Sequence, residues 1–154
     1  MTPPTLVIRR ALAADAPAIE RLYRQLVSHP QVSVRPDRLA ALANDAGSVV
    51  LVADRSGEVC GTLLLCLCAD VMFADQPFAV IENIVVDEAC RGLGIGGHLL
   101  AHAEARCRDA GCSKIMLTSA ASRTRAHRWF DRQGFDGEAK RGFVKYRRHF
   151  AEAA

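Results

Sequence analysis

The residues with the clearest chemical meaning form one run, Arg91-Gly92-Leu93-Gly94-Ile95-Gly96-Gly97, between an apolar strand pattern and a long helix pattern. Glycines at 92, 94, 96 and 97 strip Cβ atoms from the turn, so backbone N–H groups can converge on an anion at the positive end of the helix. A phosphate or pyrophosphate suits such a cradle, and Arg91 adds a fork of charged donors beside it. Each glycine weakens a helix by about 1 kcal/mol, so tight packing alone is a poor reason for so many. Gly92-x-Gly94-x-x-Gly97 formally satisfies the dinucleotide-binding pattern, but it begins late in a chain of 154 residues. The next strand, ending Leu117-Thr118-Ser119-Ala120, lacks the acidic residue that would meet a ribose about 20 positions on. A P-loop is excluded, since no Lys-Ser or Lys-Thr pair closes the run.

Other chemistry-bearing residues read as structural. His98 and His102 stand one helical turn apart, but no Glu follows His98 and both lie off the apolar row. Exposed side chains are expected there, and no metal. Six cysteines, Cys60, Cys66, Cys68, Cys90, Cys107 and Cys112, include no Cys-x-x-Cys pair, and most of them read as small buried hydrophobes of a reducing compartment.

The elements that position the glycine run follow from periodicity. A strand is predicted over 5–9. A helix capped by Asp15, with Pro17 in its first turn, then carries Ile19, Leu22, Tyr23 and Leu26 and ends before Pro30. A short helix from Asp37 presents Leu39 and Leu42 and stops at Gly47. Runs 48–54 and 59–69 flank 55–58 as an antiparallel hairpin, and a strand covers 78–86. The long helix, 94–110, aligns Ile95, Leu99, Ala103 and Cys107 with Leu100 beside them, and Gly111 supplies a left-handed stop. A strand over 114–118, a helix over 123–133 stopped by Gly134, and strands near Phe135 and over 142–147 complete a mixed sheet flanked by helices, an α/β fold of α+β type.

Composition agrees with one globular domain over 1–154: half the residues are apolar and 24% charged, with no internal repeat. A net charge of +3 is too small to argue for nucleic acid. No apolar run approaches the roughly 18 residues of a membrane span. Arg9 and Arg10 follow the first apolar stretch instead of preceding it, the reverse of a secretory signal. A cytoplasmic protein without a membrane or nucleic-acid partner is expected.

The glycine run, the strand Ile84-Val85-Val86-Asp87 before it, and Ala126-His127-Arg128-Trp129-Phe130-Asp131-Arg132-Gln133-Gly134-Phe135 together resemble the GNAT superfamily of acetyl-coenzyme A-dependent N-acetyltransferases. Arg91–Gly97 looks like the family's Arg/Gln-x-x-Gly-x-Gly/Ala pyrophosphate loop. The later segment is similar to its Ala-x-x-Phe-Tyr-x-x-x-Gly-Phe helix and strand. The resemblance covers nearly the whole chain and implies a mostly antiparallel sheet with a splayed strand. It also implies that backbone groups of Ile84, Val85 and Val86 bind the pantetheine arm and polarise the thioester. Arg91, Gly92, Leu93, Gly94, Ile95, Gly96 and Gly97 would hold the diphosphate of acetyl-CoA. Acetyl transfer to an amine needs a base, because only the free amine has a lone pair to attack with. Glu82, a carboxylate among Val80, Ile81, Ile84 and Val85, is out of pattern for a buried strand and is the expected base, directly or through water.

Phe130 departs from the resemblance, since many members carry a tyrosine there that protonates the departing thiolate. A thiol with a pKa near about 8.5, by analogy with cysteine, can take its proton from solvent. Tyr23, Tyr146, Ser119 and Ser122 are unranked substitutes. The expected activity is direct acetyl transfer to a primary amine, without metal and without an acetyl-enzyme, as no cysteine stands beside a base. Ile81–Val86 with Gly111-Cys112-x-Lys114-Ile115 is similar to glucosamine-6-phosphate N-acetyltransferases. Ala126-His127-Arg128 before two aromatics is similar to aminoalkylphosphonate N-acetyltransferases. Both suggest a small amine, phosphorylated or otherwise anionic. The basic tail, Lys140, Arg141, Lys145, Arg147 and Arg148, reads as a solvated strand face. Its sharper reading pairs Arg141 or Lys145 with an anionic group of acceptor or cofactor. The alternatives are a protein lysine or N-terminal amine as acceptor and, prompted by Phe130, a non-catalytic coenzyme A sensor. Relatives often form a homodimer, though no stretch of this sequence signals an interface.

Overall fold

The computed structural model describes residues 3–153. The chain divides into two compact units, Met1–Leu117 and Thr118–Ala154. The first contains five strands, β1 (Leu6–Arg10), β2 (Ser48–Arg55), β3 (Glu58–Cys68), β4 (Phe78–Val86) and β5 (Ile115–Leu117), in the spatial order of the chain. Neighbours pair antiparallel except β4 with β5, which run parallel. The crossover between those two is α3 (Ile95–Asp109), as a parallel pair demands.

Alternation along the strands sorts the core into two layers. Val50, Val52, Val59 and Val85 pack with Ile19 and Leu22 of α1 (Ala16–Leu26) and Leu39 of α2 (Pro36–Leu42). The opposite face lies under α3, whose expected row of Ile95, Leu99, Ala103 and Cys107, with Leu100, is buried. Gly61 is where β3 meets that helix. A Cβ there would lie 3.1 Å from Leu99 Cδ1 and 3.3 Å from Ile95 Cγ2, so the close seat of the helix depends on the missing side chain.

Polar ties fix the ends of these elements. The β2–β3 hairpin turns on Ser56 and Gly57, both at positive φ, the geometry that matches the twist of two paired strands. Arg9 bridges Asp15 (Nη1–Oδ2, 2.8 Å) and Asp54 (Nη2–Oδ2, 3.0 Å), joining the first strand to the start of α1 and to the hairpin. Asp15 does sit at the N-cap of α1, yet its carboxylate accepts from Leu12 N–H at 2.7 Å and from Arg9 instead of capping the helix.

The second unit holds α4 (Thr124–Arg132), closed by Gly134 at φ +90. Phe130 is buried, edge-on to Phe135 with ring centroids 5.9 Å apart. The strands expected near Phe135 and over 142–147 do not form. Residues 133–146 are turns and irregular backbone, followed by a 3-10 turn, Arg147–His149. Phe143, Val144 and Tyr146 favour extended backbone, but a strand exists only through a ladder partner, and none among the described residues pairs with this segment. Phe143 accordingly stands 90% exposed. No described helix is long and apolar enough to cross a membrane.

Candidate active site

The ladder between β4 and β5 covers only Ala79–Ile115, Val80–Met116 and Ile81–Leu117. Beyond Ile81, β4 continues to Val86 with β3 on one side and, among the described residues, no strand on the other. Backbone alternation tells which groups face that side. Asp87 N–H donates to Cys60 C=O at 2.8 Å, so Val85, two residues earlier, also turns to β3. Ile84 and Val86 therefore direct their amides to the unpaired side. Val85 instead buries its side chain in the α1-side core. Of the three residues expected there, two present backbone to the opening and one anchors the strand.

A β-bulge precedes this stretch. Thr62 pairs with Val85 and Leu64 with Glu82, so Asn83 and Ile84 together oppose the single residue Leu63. Asn83 takes the strain, with φ +55. Glu82 is exposed and joins no ion pair among the described residues. The expectation of a carboxylate inside a buried strand is corrected to that extent. The buried alternation ends at Ile81, and the bulge carries Glu82 and Asn83 to the surface.

The turn after β4 is tied down by residues that pattern reading passed over. Asp87 caps a 3-10 turn, Glu88–Cys90, by accepting from Ala89 N–H at 3.0 Å, and it pairs with Arg21 of α1. The Ala89 amide and the Arg21 guanidinium hold the Asp87 carboxyl below the usual aspartate range. Arg21 also donates to Val59 C=O at 3.1 Å, and Gln25 Oε1 accepts from Glu88 N–H at 3.0 Å. Arg21 and Gln25 lie four apart on α1, a spacing that marks one helix face but does not name what it meets. Arg91 Nε donates to Val86 C=O at 3.3 Å, which folds an exposed guanidinium back over the strand end.

Gly92 and Gly94 sit at φ +81 and +77, and a Cβ at either would meet nothing within 4 Å. Glycine is needed there for backbone conformation, not for space. Gly94 is the N-cap of α3, and among the described residues no side chain caps the helix start. The first intrahelical bond runs from His98 N–H to Gly94 C=O at 3.2 Å. The amides of Ile95, Gly96 and Gly97 thus precede the helical ladder with their dipoles aligned. Leu93 is exposed, while Ile95 is buried against Gly61. An open strand edge leading through a braced turn into an uncapped helix start fits an extended chain bearing amides and a diphosphate.

Residues 16–135 match the Acetyltransferase (GNAT) family. The chain is a GNAT-family acetyltransferase. It is 30% identical over 133 residues to an aminoalkylphosphonate N-acetyltransferase of Salmonella typhimurium, covering 86% of each chain. It is 31% identical over 132 residues to an aminoglycoside N(6')-acetyltransferase type 1 of Stenotrophomonas maltophilia, covering 84% of this chain and 85% of the relative. Among solved structures, one from Agrobacterium tumefaciens described as an acetyltransferase superposes with a TM-score of 0.83 at 30% identity, over 92% of this chain and 99% of that one. The glucosamine-6-phosphate N-acetyltransferase of Arabidopsis thaliana shares the fold, with a TM-score of 0.79 at 20% identity over 93% and 99%.

Family membership makes acetyl-CoA the acetyl source and leaves several neighbouring groups to be placed. His98 is exposed and His102 half-buried, its imidazole pKa pulled down by burial and by Arg106. All six cysteines are free. Cys60 and Cys107 are buried, and burial pushes their thiols up to about 11 and about 12, with Cys90 and Cys112 as respective neighbours. Tyr23 is half-buried on α1, where burial raises its phenol pKa. Phe130 and the basic residues 140–148 belong to the second unit.

Proposed function

We propose that this acetyltransferase transfers acetyl directly from acetyl-CoA to a small primary amine, with Glu82 as base. Residues 1–154 act as one catalytic domain in the cytoplasm. The observation that carries the reading is the continuity of three features: the exposed carboxylate at the bulge, the unpaired amides of Ile84 and Val86, and the uncapped start of α3. When bound, acetyl-CoA supplies the acetyl group as an activated thioester. The N–H groups of Ile95, Gly96 and Gly97 would hold its diphosphate, with Arg91, Gly92, Leu93 and Gly94 shaping and charging the loop. Ile84 and Val86 N–H would grip the pantetheine amides and polarise the thioester oxygen. Glu82 accepts the proton that the acceptor's ammonium must lose before its nitrogen can attack. The family match through both compact units supports a single domain. The amine acceptors named for the two curated relatives support a small-molecule substrate.

Release of free thiol in the presence of an amine panel tests the reading. The wild type is expected to turn over at least one small primary amine. Glu82→Gln should lose roughly 10²- to 10⁴-fold in kcat/KM, the usual contribution of a positioned base, while keeping its affinity for acetyl-CoA. Acetylation confined to peptides would favour a protein acceptor. Tight coenzyme A binding without turnover of any amine would favour a sensor.

A further inference from the structure

The register of β3, β4 and β5 sorts their side chains by face. Pairing runs unbroken from Cys68–Phe78 to Leu64–Glu82, so Phe78, Val80 and Glu82 share one face of β4. Leu64 and Cys66 stand on the same face, directly across from Glu82 and Val80. On the other side Val80 pairs with Met116 of β5, which brings Met116 to that face as well. Leu64 packs against the core layer under α1 and α2, so the face is theirs. Past Leu64 the cover thins. Cys66, Val80, Phe78 and Met116 are only half-buried, whereas Leu65, Ala79 and Ile81 on the opposite face are buried. The result is an apolar strip, partly open, that lies wholly within the first compact unit.

The two ends of the strip carry opposite charge. Glu82 stands exposed at one end. Lys114 stands at the other, where its C=O accepts from Ala79 N–H at 2.9 Å. Its ammonium lies 5.3 Å from the centroid of the Phe78 ring, so the side chain leans over the same face. Neither Glu82 nor Lys114 joins an ion pair among the described residues. Four residues of strand advance about 13 Å and the neighbouring strand lies about 4.8 Å to the side, so the two charges are on the order of 14 Å apart. They cannot pair with each other. A ligand hydrogen-bonded at both ends gives up about 3 Å at each, which leaves roughly 8 Å between its own charges. At about 1.2 Å per bond of extended chain, that is about six or seven bonds.

We propose that this strip is the floor of the acceptor site and that Lys114 selects an acceptor with an anionic far end. The acceptor is then a chain with its primary amine at Glu82, an apolar spacer of about five methylenes over Val80, Met116 and Cys66, and a carboxylate or phosphonate on Lys114. The inference rests on the reading of Glu82 as base and names the substrate class of that site. The floor rewards each added methylene by taking it out of water. A shorter amino acid spans too little to engage both ends at once. A diamine of the same length would set its second ammonium against Lys114, and an alkylamine would leave Lys114 without a partner.

Steady-state kinetics on ω-amino carboxylates from three to eight carbons, with the matching ω-aminoalkylphosphonates, alkylamines and diamines, tests the geometry. For the wild type kcat/KM should climb about two- to fourfold per methylene and level off near five methylenes. Lys114 is exposed and holds its strand through the backbone, so its variants keep the fold. Lys114→Met should shrink the preference for the amino acid over the alkylamine of equal length by roughly 3- to 10-fold, between the worth of an exposed ion pair and of a charged hydrogen bond. Lys114→Glu should invert the preference of amino acid over diamine. The acetyl-CoA KM should stay within a few-fold of wild type in both variants. Either anion, if preferred, supports the subsite and tells which group Lys114 receives. A rate indifferent to spacer length, no preference for an anionic end, or a preference that survives Lys114→Glu would overturn the proposal. If any of these is seen while small amines still turn over and Glu82→Gln still abolishes it, this subsite alone falls. A wild type inactive on every amine removes the proposed function and the subsite with it.

Discussion

Replacing Gly94 with alanine isolates what the glycine run contributes. A Cβ at Gly94 meets nothing within 4 Å, so the substitution introduces no clash. What it introduces is an alanine at φ +77, a left-handed conformation that costs an L-residue about 1–2 kcal/mol. If the loop keeps its shape, that strain appears as lost stability. For a chain of this size each kcal/mol shifts Tm by about 2–4 °C, so a fall of roughly 2–8 °C is expected. If the loop relaxes, the amides of Ile95, Gly96 and Gly97 lose their common direction and acetyl-CoA affinity falls with it. Thermal melting and calorimetric titration with coenzyme A read the two outcomes. Gly61→Ala is the control. Its backbone is unstrained, but its Cβ would lie 3.1 Å from Leu99 Cδ1 and 3.4 Å from Val85 O, an overpacking worth about 1–3 kcal/mol. That variant should melt earlier and still bind the cofactor within a few-fold of wild type. A Gly94→Ala protein with wild-type melting and wild-type affinity would refute the argument that left-handed backbone at the helix start builds the cradle.

Two further outcomes follow from titrating groups. Asp15, held by Arg9, and Asp87, held by the Ala89 amide and Arg21, both have carboxyl pKa values depressed below the usual aspartate range in the folded protein. Their contribution to stability is whole above the ordinary aspartate value and disappears as pH falls through the depressed ones. Tm should therefore hold from neutral pH to about 5 and drop below about 4, and Asp15→Asn should flatten part of that drop. With Cys60 raised to about 11 and Cys107 to about 12, alkylation at mildly alkaline pH should label these two last. Peptide mapping showing either one modified first would contradict the burial that raises them.

How much of this architecture lay open to reading depends on whether the cause was local. The strand over 78–86 and the buried row of α3 emerge with their expected bounds or within a residue, because alternation and the four-residue spacing are properties of the chain itself. Gly111 and Gly134 stop their helices at φ +74 and +90 for the same reason. The glycine run was legible as a turn that opens the long helix, since Gly92 and Gly94 sit at positive φ and the helix starts at Ile95. The bulge at Asn83 was not, since it arises from the register of β4 against β3, a relation between segments well apart in sequence. Nor were the ties of Arg21 and Gln25 to the turn after β4, which exist only once α1 is laid on the sheet. The tail shows the converse error: Phe143-Val144-Lys145-Tyr146 has strand-like composition, and composition does not furnish a neighbour to pair with.

The early end of the β4–β5 ladder also bears on self-association. An interrupted sheet is a place where another protein chain could zip on and seed aggregates. Here the notch spans only residues 82–86, with an anionic side chain at one end and the Arg91 guanidinium folded over the other. Within it only Ile84 and Val86 turn their amides outward, few contacts for an added strand of the usual length of about 5–6 residues. It discourages invasion by polypeptide while leaving room for a slender molecule with one or two amide bonds.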